Sequence, residues 1–178
     1  ARRLAAEGTD LVVVARDRKR LEALAKELTD GHGVEVEVLR ADLSKKAQTA
    51  AVVERLQDPG SPIDLLVNNA GFGTYGPFVE LDPDEEEREV QVNCQALVRL
   101  CHAVAPGMVA RRSGTIVNVS SMASRAAAPK NAVYAATKAF VSHFSDALHE
   151  ELRGSGVTVT VVEPGFTREP IFDEVEVT

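Results

Sequence analysis

Short apolar runs alternate with longer amphipathic stretches along most of this chain. Leu11-Val12-Val13-Val14, inside Asp10 to Ala15, is a continuous apolar run and predicts a strand buried on both faces. Ahead of it, Ala1 to Glu7 reads as the last turns of a helix ended by Gly8. From Asp17 to Leu28 the apolar positions 21, 24, 25 and 28 fall on one helical face. Gly31-His32-Gly33 predicts a turn, and Val34 to Leu39 alternates apolar residues with Glu35 and Glu37, the mark of a strand at a sheet edge. Ser44 to Leu56 reads as helix, Asp58-Pro59-Gly60-Ser61-Pro62 as a turn cluster, and Ile63 to Val67 as a short strand.

Asp82-Pro83 opens a long helix over about 84–112, acidic first and apolar later. Its acidic start complements a helix N-terminus and Arg111-Arg112 the other end; Pro106 predicts a bend or break. Thr115 to Val119 follows as strand, Val133 to Arg153 as helix and Val157 to Val162 as strand, leading to Pro164-Gly165. Strands alternating with helices of this length imply an α/β fold with right-handed crossovers and a mostly parallel sheet. There is neither an internal repeat nor a low-complexity tail.

The 178 residues fit one domain, 1–178, with a core of Val, Leu, Ala and Ile, since aromatics make up only 4% and tryptophan is absent. A formal charge of -7 argues against nucleic acid as a partner, because a phosphate backbone wants concentrated positive charge. Cys94 and Cys101, seven apart in one apolar helical pattern, read as buried thiols of a cytoplasmic protein. No apolar stretch has the length of a membrane span, so no membrane is expected, and no cluster has metal-ligand spacing, so no metal is.

The chemistry is concentrated in Asn93, Ser121, Tyr134 and Lys138. Tyr134 and Lys138 are four apart, which puts a phenol and an ammonium on one helix face about one turn apart. The ammonium would attract the phenolate, equipping Tyr134 to move a proton on or off an alcohol or carbonyl oxygen. No histidine occupies a strand-end motif and no G-x-S-x-G context is present, which excludes a Ser-His-Asp hydrolase.

In chain order, Val14-Ala15-Arg16, Asp42, Asn68-Asn69-Ala70-Gly71, Asn93, Val119-Ser120-Ser121, Tyr134/Lys138 and Pro164-Gly165 together resemble the short-chain dehydrogenase/reductase family. The resemblance implies a Rossmann-like doubly wound parallel sheet with helices on both faces, incomplete at both ends. The chain starts inside the first helix, without the family's first strand and glycine motif. It stops after Thr167 and the stretch to Thr178, without the family's last segments.

The resemblance also implies roles. Arg16 would meet a 2'-phosphate, making NADP(H) the preferred cofactor with NAD(H) possible; Asp17 complicates this by pairing with Arg18 or partly neutralising the pocket. Asp42, followed by Leu43, would meet the adenine, with helix capping as its competing role. Asn69, Ala70 and Gly71 would pack beside the cofactor ribose, and Asn68 would tie neighbouring strands together. Asn93 would hold a water linking Lys138 to solvent. Ser121, thirteen residues before Tyr134, would hold the substrate oxygen, with Ser120 as its rival. Tyr134 would be the acid or base, and Lys138 would also bind the nicotinamide ribose. Pro164, Gly165 and Thr167 would border the nicotinamide, while Phe72, Met122 and Phe166 could wall a ketone or secondary alcohol. The expected activity is hydride transfer between a cofactor and a small carbonyl or alcohol, in a homodimer or homotetramer. An inactive nucleotide-binding scaffold and a ketoreductase of carrier-bound acyl groups are the alternatives; Arg125 and Lys130 would be the docking charges of the second.

Overall fold

The computed structural model describes residues 1–165. Two compact units divide the chain, Ala1–Pro62 and Ile63 onward. In the first, α1 (Arg2–Ala6) precedes β1 (Leu11–Ala15), α2 (Arg18–His32), β2 (Val36–Arg40) and α3 (Lys46–Leu56). β1 and β2 run parallel, from Leu11 opposite Val36 to Ala15 opposite Arg40, so α2 is the crossover between them. Asp17 starts α2 by accepting a hydrogen bond from the Arg20 amide at 3.1 Å. Gly33 ends it in the left-handed region, with φ 70°, where a side chain would be strained. Ala5, Leu28 and Val34 form a small core joined by Leu11, Leu24 and Val36.

The second unit begins with β3 (Leu65–Asn68) and α4 (Pro83–Val90). A π-helical turn (Gln91–Ala96) then runs straight into α5 (Leu97–Arg111). β4 (Gly114–Val119), α6 (Ala132–Glu151) and β5 (Val157–Val162) follow. The strands form a parallel sheet in the order β3-β4-β5, with Asn68 opposite Asn118 and Val119 opposite Val162. α5 packs on β3 and β4, and α6 on β4 and β5.

Local chemistry fixes these elements. Asp82 caps α4 by accepting from the Asp84 amide at 2.9 Å, and Pro83 occupies the first turn, where its missing N–H costs nothing. Pro106 does not break α5. The irregularity of this long helix lies earlier, in the π turn around Asn93, which no proline or glycine announces. Inside the sheet a polar chain replaces apolar packing: Asn68 Nδ2 donates to Asn118 Oδ1 at 2.9 Å, and Asn118 Nδ2 to Ser145 Oγ at 2.9 Å. Asn68 thereby ties β3 to β4, the structural role expected of it.

Candidate active site

α6 carries Tyr134 and Lys138, and the Lys138 Nζ lies 5.6 Å from the centroid of the Tyr134 ring. Lys138 is buried, and its Nζ donates to the Val119 carbonyl at the end of β4 at 2.9 Å. Burial lowers the pKa of this ammonium, while the charges of Cys94 and Glu89 oppose the shift. Among the described residues it has this one acceptor for three protons, which leaves two donors for other groups. Two glycines shape the neighbourhood. A Cβ on Gly71 would come within 3.0 Å of Asn93 Oδ1 and 3.3 Å of Lys138 Nζ, and one on Gly73 within 2.7 Å of Tyr134 Cδ2.

Asn93 sits buried in the π turn, and both amide protons are used. Nδ2 donates to the Phe72 carbonyl at 2.9 Å and to Thr137 Oγ1 at 3.0 Å, while Oδ1 accepts from the Phe72 amide at 3.2 Å. The side chain therefore clamps the loop that carries Gly71 and Gly73 onto α6. The same loop is held further along. The Thr74 amide donates to Glu89 Oε2 at 3.0 Å, and the Thr74 carbonyl accepts from Asn131 Nδ2 at 2.5 Å. Phe72 is half-buried beneath Arg88, whose guanidinium carbon is 5.0 Å from the ring centroid.

Ser121 follows β4, and its Oγ accepts from the Ala123 amide at 3.1 Å, which leaves the hydroxyl proton free to donate elsewhere. Ser120 is buried and committed: its hydroxyl donates to the Lys138 carbonyl at 2.8 Å and lies 2.8 Å from Ser142 Oγ. The Ser120 hydroxyl is thus engaged inside the protein, whereas the Ser121 hydroxyl proton has no acceptor among the described residues. The Met122 amide donates to the Pro164 carbonyl at 3.0 Å, and a Cβ on Gly165 would meet Met122 Sδ at 3.1 Å. Met122, Pro164 and Gly165 thus stand together, with Met122 exposed. Phe166 and Thr167 lie outside the described residues. Asn69 and Ala70 are exposed just past β3.

The first unit places Arg16 directly after β1, exposed, with its carbonyl accepting from Arg40 Nε at 3.3 Å. Arg16 makes no ion pair among the described residues. The expected pairing of Asp17 with Arg18 is not found. Asp17 caps α2 and pairs with Arg20 at 3.4 Å, and Arg18 instead pairs with Glu22 one turn along, at 2.7 Å. Asp42 Oδ1 accepts from the Ser44 amide at 3.0 Å and the Ser44 hydroxyl at 2.7 Å, so it organises the turn before α3. Partial burial raises its pKa, but the Ser44 bonds and the charges of Arg16 and Lys45 outweigh that and leave it below the ordinary value. Leu43 is half-buried, and its carbonyl accepts from Thr49 Oγ1 at 3.1 Å.

The short chain dehydrogenase family profile matches residues 1–177. This chain belongs to the short-chain dehydrogenase family. A short-chain dehydrogenase from Sphingobium yanoikuyae, solved in complex with NADPH, superposes with a TM-score of 0.93 at 45% identity, over 97% of this chain and 67% of that one. The bulky-bulky ketone specific alcohol dehydrogenase from Comamonas testosteroni gives 0.90 at 38% identity, over 94% and 66%. The ketoacyl reductase HetN of Nostoc sp. is 34% identical over 93% of this chain and 58% of its own length. The chain thus spans about two thirds or less of these relatives. Its parallel α/β architecture is the Rossmann-like fold of the family, on which NADP(H)-binding oxidoreductases are built.

Three features of this short-chain dehydrogenase escaped sequence reasoning. Gly73 went unread, because its contact is with Tyr134, far along the chain. The π turn carries no composition signal. Glu86 and Glu89 read as part of a solvated acidic helix start, yet both are buried. A signal existed: Glu86, Glu89 and Asn93 are spaced by three and four, the spacing of a single helix face.

Proposed function

We propose that this chain carries the active site of an NADP(H)-dependent oxidoreductase that interconverts a ketone or aldehyde and an alcohol. The observation behind this reading is the pairing of Tyr134 with a buried Lys138 that still has two unused protons. The residues suit the cofactor. Gly71 keeps the Lys138 ammonium open to ribose hydroxyls, since any Cβ there would crowd it. Arg16, without an ion-pair partner among the described residues, is available to a 2'-phosphate. Asp42 offers its second carboxylate oxygen to the adenine amino group. NADP(H), when bound, supplies or accepts the hydride.

The protein's own part is proton and dipole management. Tyr134 gives a proton to the carbonyl oxygen in reduction and takes one from the hydroxyl in oxidation. Ser121 donates a hydrogen bond to that same oxygen, and its Oγ is oriented by the Ala123 amide. Lys138 holds the ribose and places positive charge beside the Tyr134 ring. Asn93 keeps the 71–74 loop seated against α6 and supports the water path from Lys138. Pro164 and Gly165 would border the nicotinamide, with Asn69 and Ala70 beside the ribose; Met122 and Phe72 would contribute the apolar wall. The substrate is a small uncharged carbonyl compound. Arg125, a candidate docking charge for a carrier-bound acyl group, is neutralised by Glu163 through a 2.7 Å bond from its Nε, which favours the free substrate. The working unit is a homodimer or homotetramer, and unpaired Cys94 and Cys101 suit the cytoplasm.

Tyr134→Phe tests this. With NADPH and a panel of an aryl ketone, a cyclic ketone and a 3-oxoacyl thioester, turnover falls by about 10² or more while NADPH binding persists. A Phe variant as active as wild type overturns the mechanism, and a wild type inactive on every ketone overturns the function. Arg16→Asp is expected to lose the preference for NADPH over NADH; retention of that preference removes Arg16 from the cofactor site.

A further inference from the structure

Two carboxyls have no place in the mechanism so far, and both are enclosed. Glu89 is 0% exposed and Glu86 8%. They lie three apart on α4 and converge on Thr74, whose hydroxyl bonds Glu86 Oε1 and lies 3.2 Å from Glu89 Oε2. The Thr74 amide already donates to Glu89 Oε2 at 3.0 Å and the single hydroxyl proton goes to Glu86 Oε1, so Glu89 gains a further bond to that hydroxyl when it carries a proton. The outer oxygens, Glu86 Oε2 and Glu89 Oε1, have no hydrogen-bond partner among the described residues. A buried carboxylate oxygen left so is costly unless protonation or water relieves it.

The cluster adjoins the catalytic lysine. Glu89 is one helical turn before Asn93, and Asn93 Oδ1 and Lys138 Nζ converge at Gly71 on the loop that continues to Thr74. Glu89 and Lys138 each feel the other's charge, and Cys94 feels both. We propose that Glu89, with Glu86 as its partner, is the outer proton station of this site, receiving the proton released in alcohol oxidation and returning it in carbonyl reduction. The inference rests on the Tyr134/Lys138 reading. In oxidation the substrate O–H bond breaks and the Tyr134 O–H forms. The phenol O–H then breaks as its proton leaves through Lys138 and water and an O–H bond forms on ionised Glu89; the hydride released when the carbinol C–H bond breaks would be taken up by bound NADP⁺. Reduction runs the same transfers backwards.

The groups facing Glu89 decide its behaviour. Burial raises its affinity for a proton above that of an ordinary glutamate, and Glu86 on the same helix adds to this. The Thr74 bonds from the loop and Lys138 from α6 oppose it. The net shift is upward, so Glu89 keeps its proton to higher pH than an exposed carboxyl and releases it nearer neutrality.

The test is Glu89→Gln in the full chain. Glutamine keeps an acceptor for the Thr74 amide but cannot take up a proton. Single-turnover reduction is followed across pH, in H₂O and D₂O, with NADPH and the panel ketone that wild type reduces fastest. The expected result is unchanged NADPH affinity, a rate lower by about tenfold or more, loss of the decline in rate that wild type shows as pH rises through the Glu89 titration, and a larger solvent isotope effect. Glu89→Asp, which still titrates, recovers part of the rate. A Gln variant with wild-type rate and pH profile overturns the proposal, as does an Asp variant no better than Gln. Should Tyr134→Phe remain active, the parent reading falls and this inference with it. Should Tyr134→Phe be dead and Glu89→Gln normal, only the inference falls.

Discussion

Replacing Gly73 with alanine isolates a single steric contact against the Tyr134 phenol. The new Cβ would lie 2.7 Å from Cδ2 and 2.9 Å from Cγ of Tyr134. Ordinary carbon contacts begin near about 3.5 Å, so ring or loop must retreat by roughly 0.8 Å. Gly73 has no positive φ, so alanine brings no backbone strain and only the contact changes. The loop is poorly placed to yield: Asn93 grips Phe72 on one side, and Glu89 and Asn131 grip Thr74 on the other. The ring therefore moves. Overpacking of this kind costs about 1–3 kcal/mol, here near the lower end because Gly73 is exposed. Displacing a reacting group by close to 1 Å costs about 10² in rate. We expect kcat for NADPH-dependent ketone reduction to fall by roughly that factor, with NADPH affinity held and only a small drop in Tm. The control is Gly31→Ala in α2, where a Cβ meets nothing within 4 Å. Full kcat in Gly73→Ala would refute the placement of the Tyr134 ring against this loop.

Other expectations follow the same physics. Gly156 has φ 90°, and a Cβ there would fall 2.1 Å from the Arg112 carbonyl oxygen; Gly156→Ala should cost about 3 kcal/mol or more in urea unfolding, from left-handed strain and backbone overlap together. A loss well under about 1 kcal/mol would contradict that packing. The Glu163 carboxyl is held below the usual glutamate range, first by the Arg125 hydrogen bond and then by Ser142 and Ser124. Its stabilisation is present above the ordinary glutamate pKa and is lost as pH falls through its own depressed value. The Tm gap between wild type and Glu163→Gln should accordingly narrow on acidification, and a gap independent of pH would show that charge has no part in it.

The strands and helices were legible because their signals are local. The run Leu11 to Val14, the face Leu21/Leu24/Leu28 and the pair Tyr134/Lys138 each declare themselves within a turn or two. Asp17 is instructive, because the charge pattern suggested pairing with Arg18 or a partly neutralised pocket, and its place at the start of α2 went unread. The cap and an ion pair to Arg20 prevailed, since capping fixes the carboxylate over the first turn, within reach of the residue three along. What stayed hidden depends on distant partners. Glu86 and Glu89 look solvated until the 72–76 loop folds over them, and Ser120 and Ser121 separate only when Lys138 and Ser142 claim the first. Pro106 drew attention as a helix breaker, yet the departure from α geometry came at Asn93.

That departure means the long helix after Asp82 has two phases. A π turn holds one residue more than the α-helical path needs, so the segments on either side of Gln91–Ala96 are offset by about 100° from a continuous α-helix. The first phase aims Glu86 and Glu89 at Thr74; the second aims Leu97, Leu100, Cys101 and Val104 into the interior. Deleting one residue within the turn would restore a regular helix and swing one phase out of register, with no charge or apolar group removed. The turn is thus a gear in the chain: it lets a packing surface and a polar surface evolve on one rod while each faces its own partner.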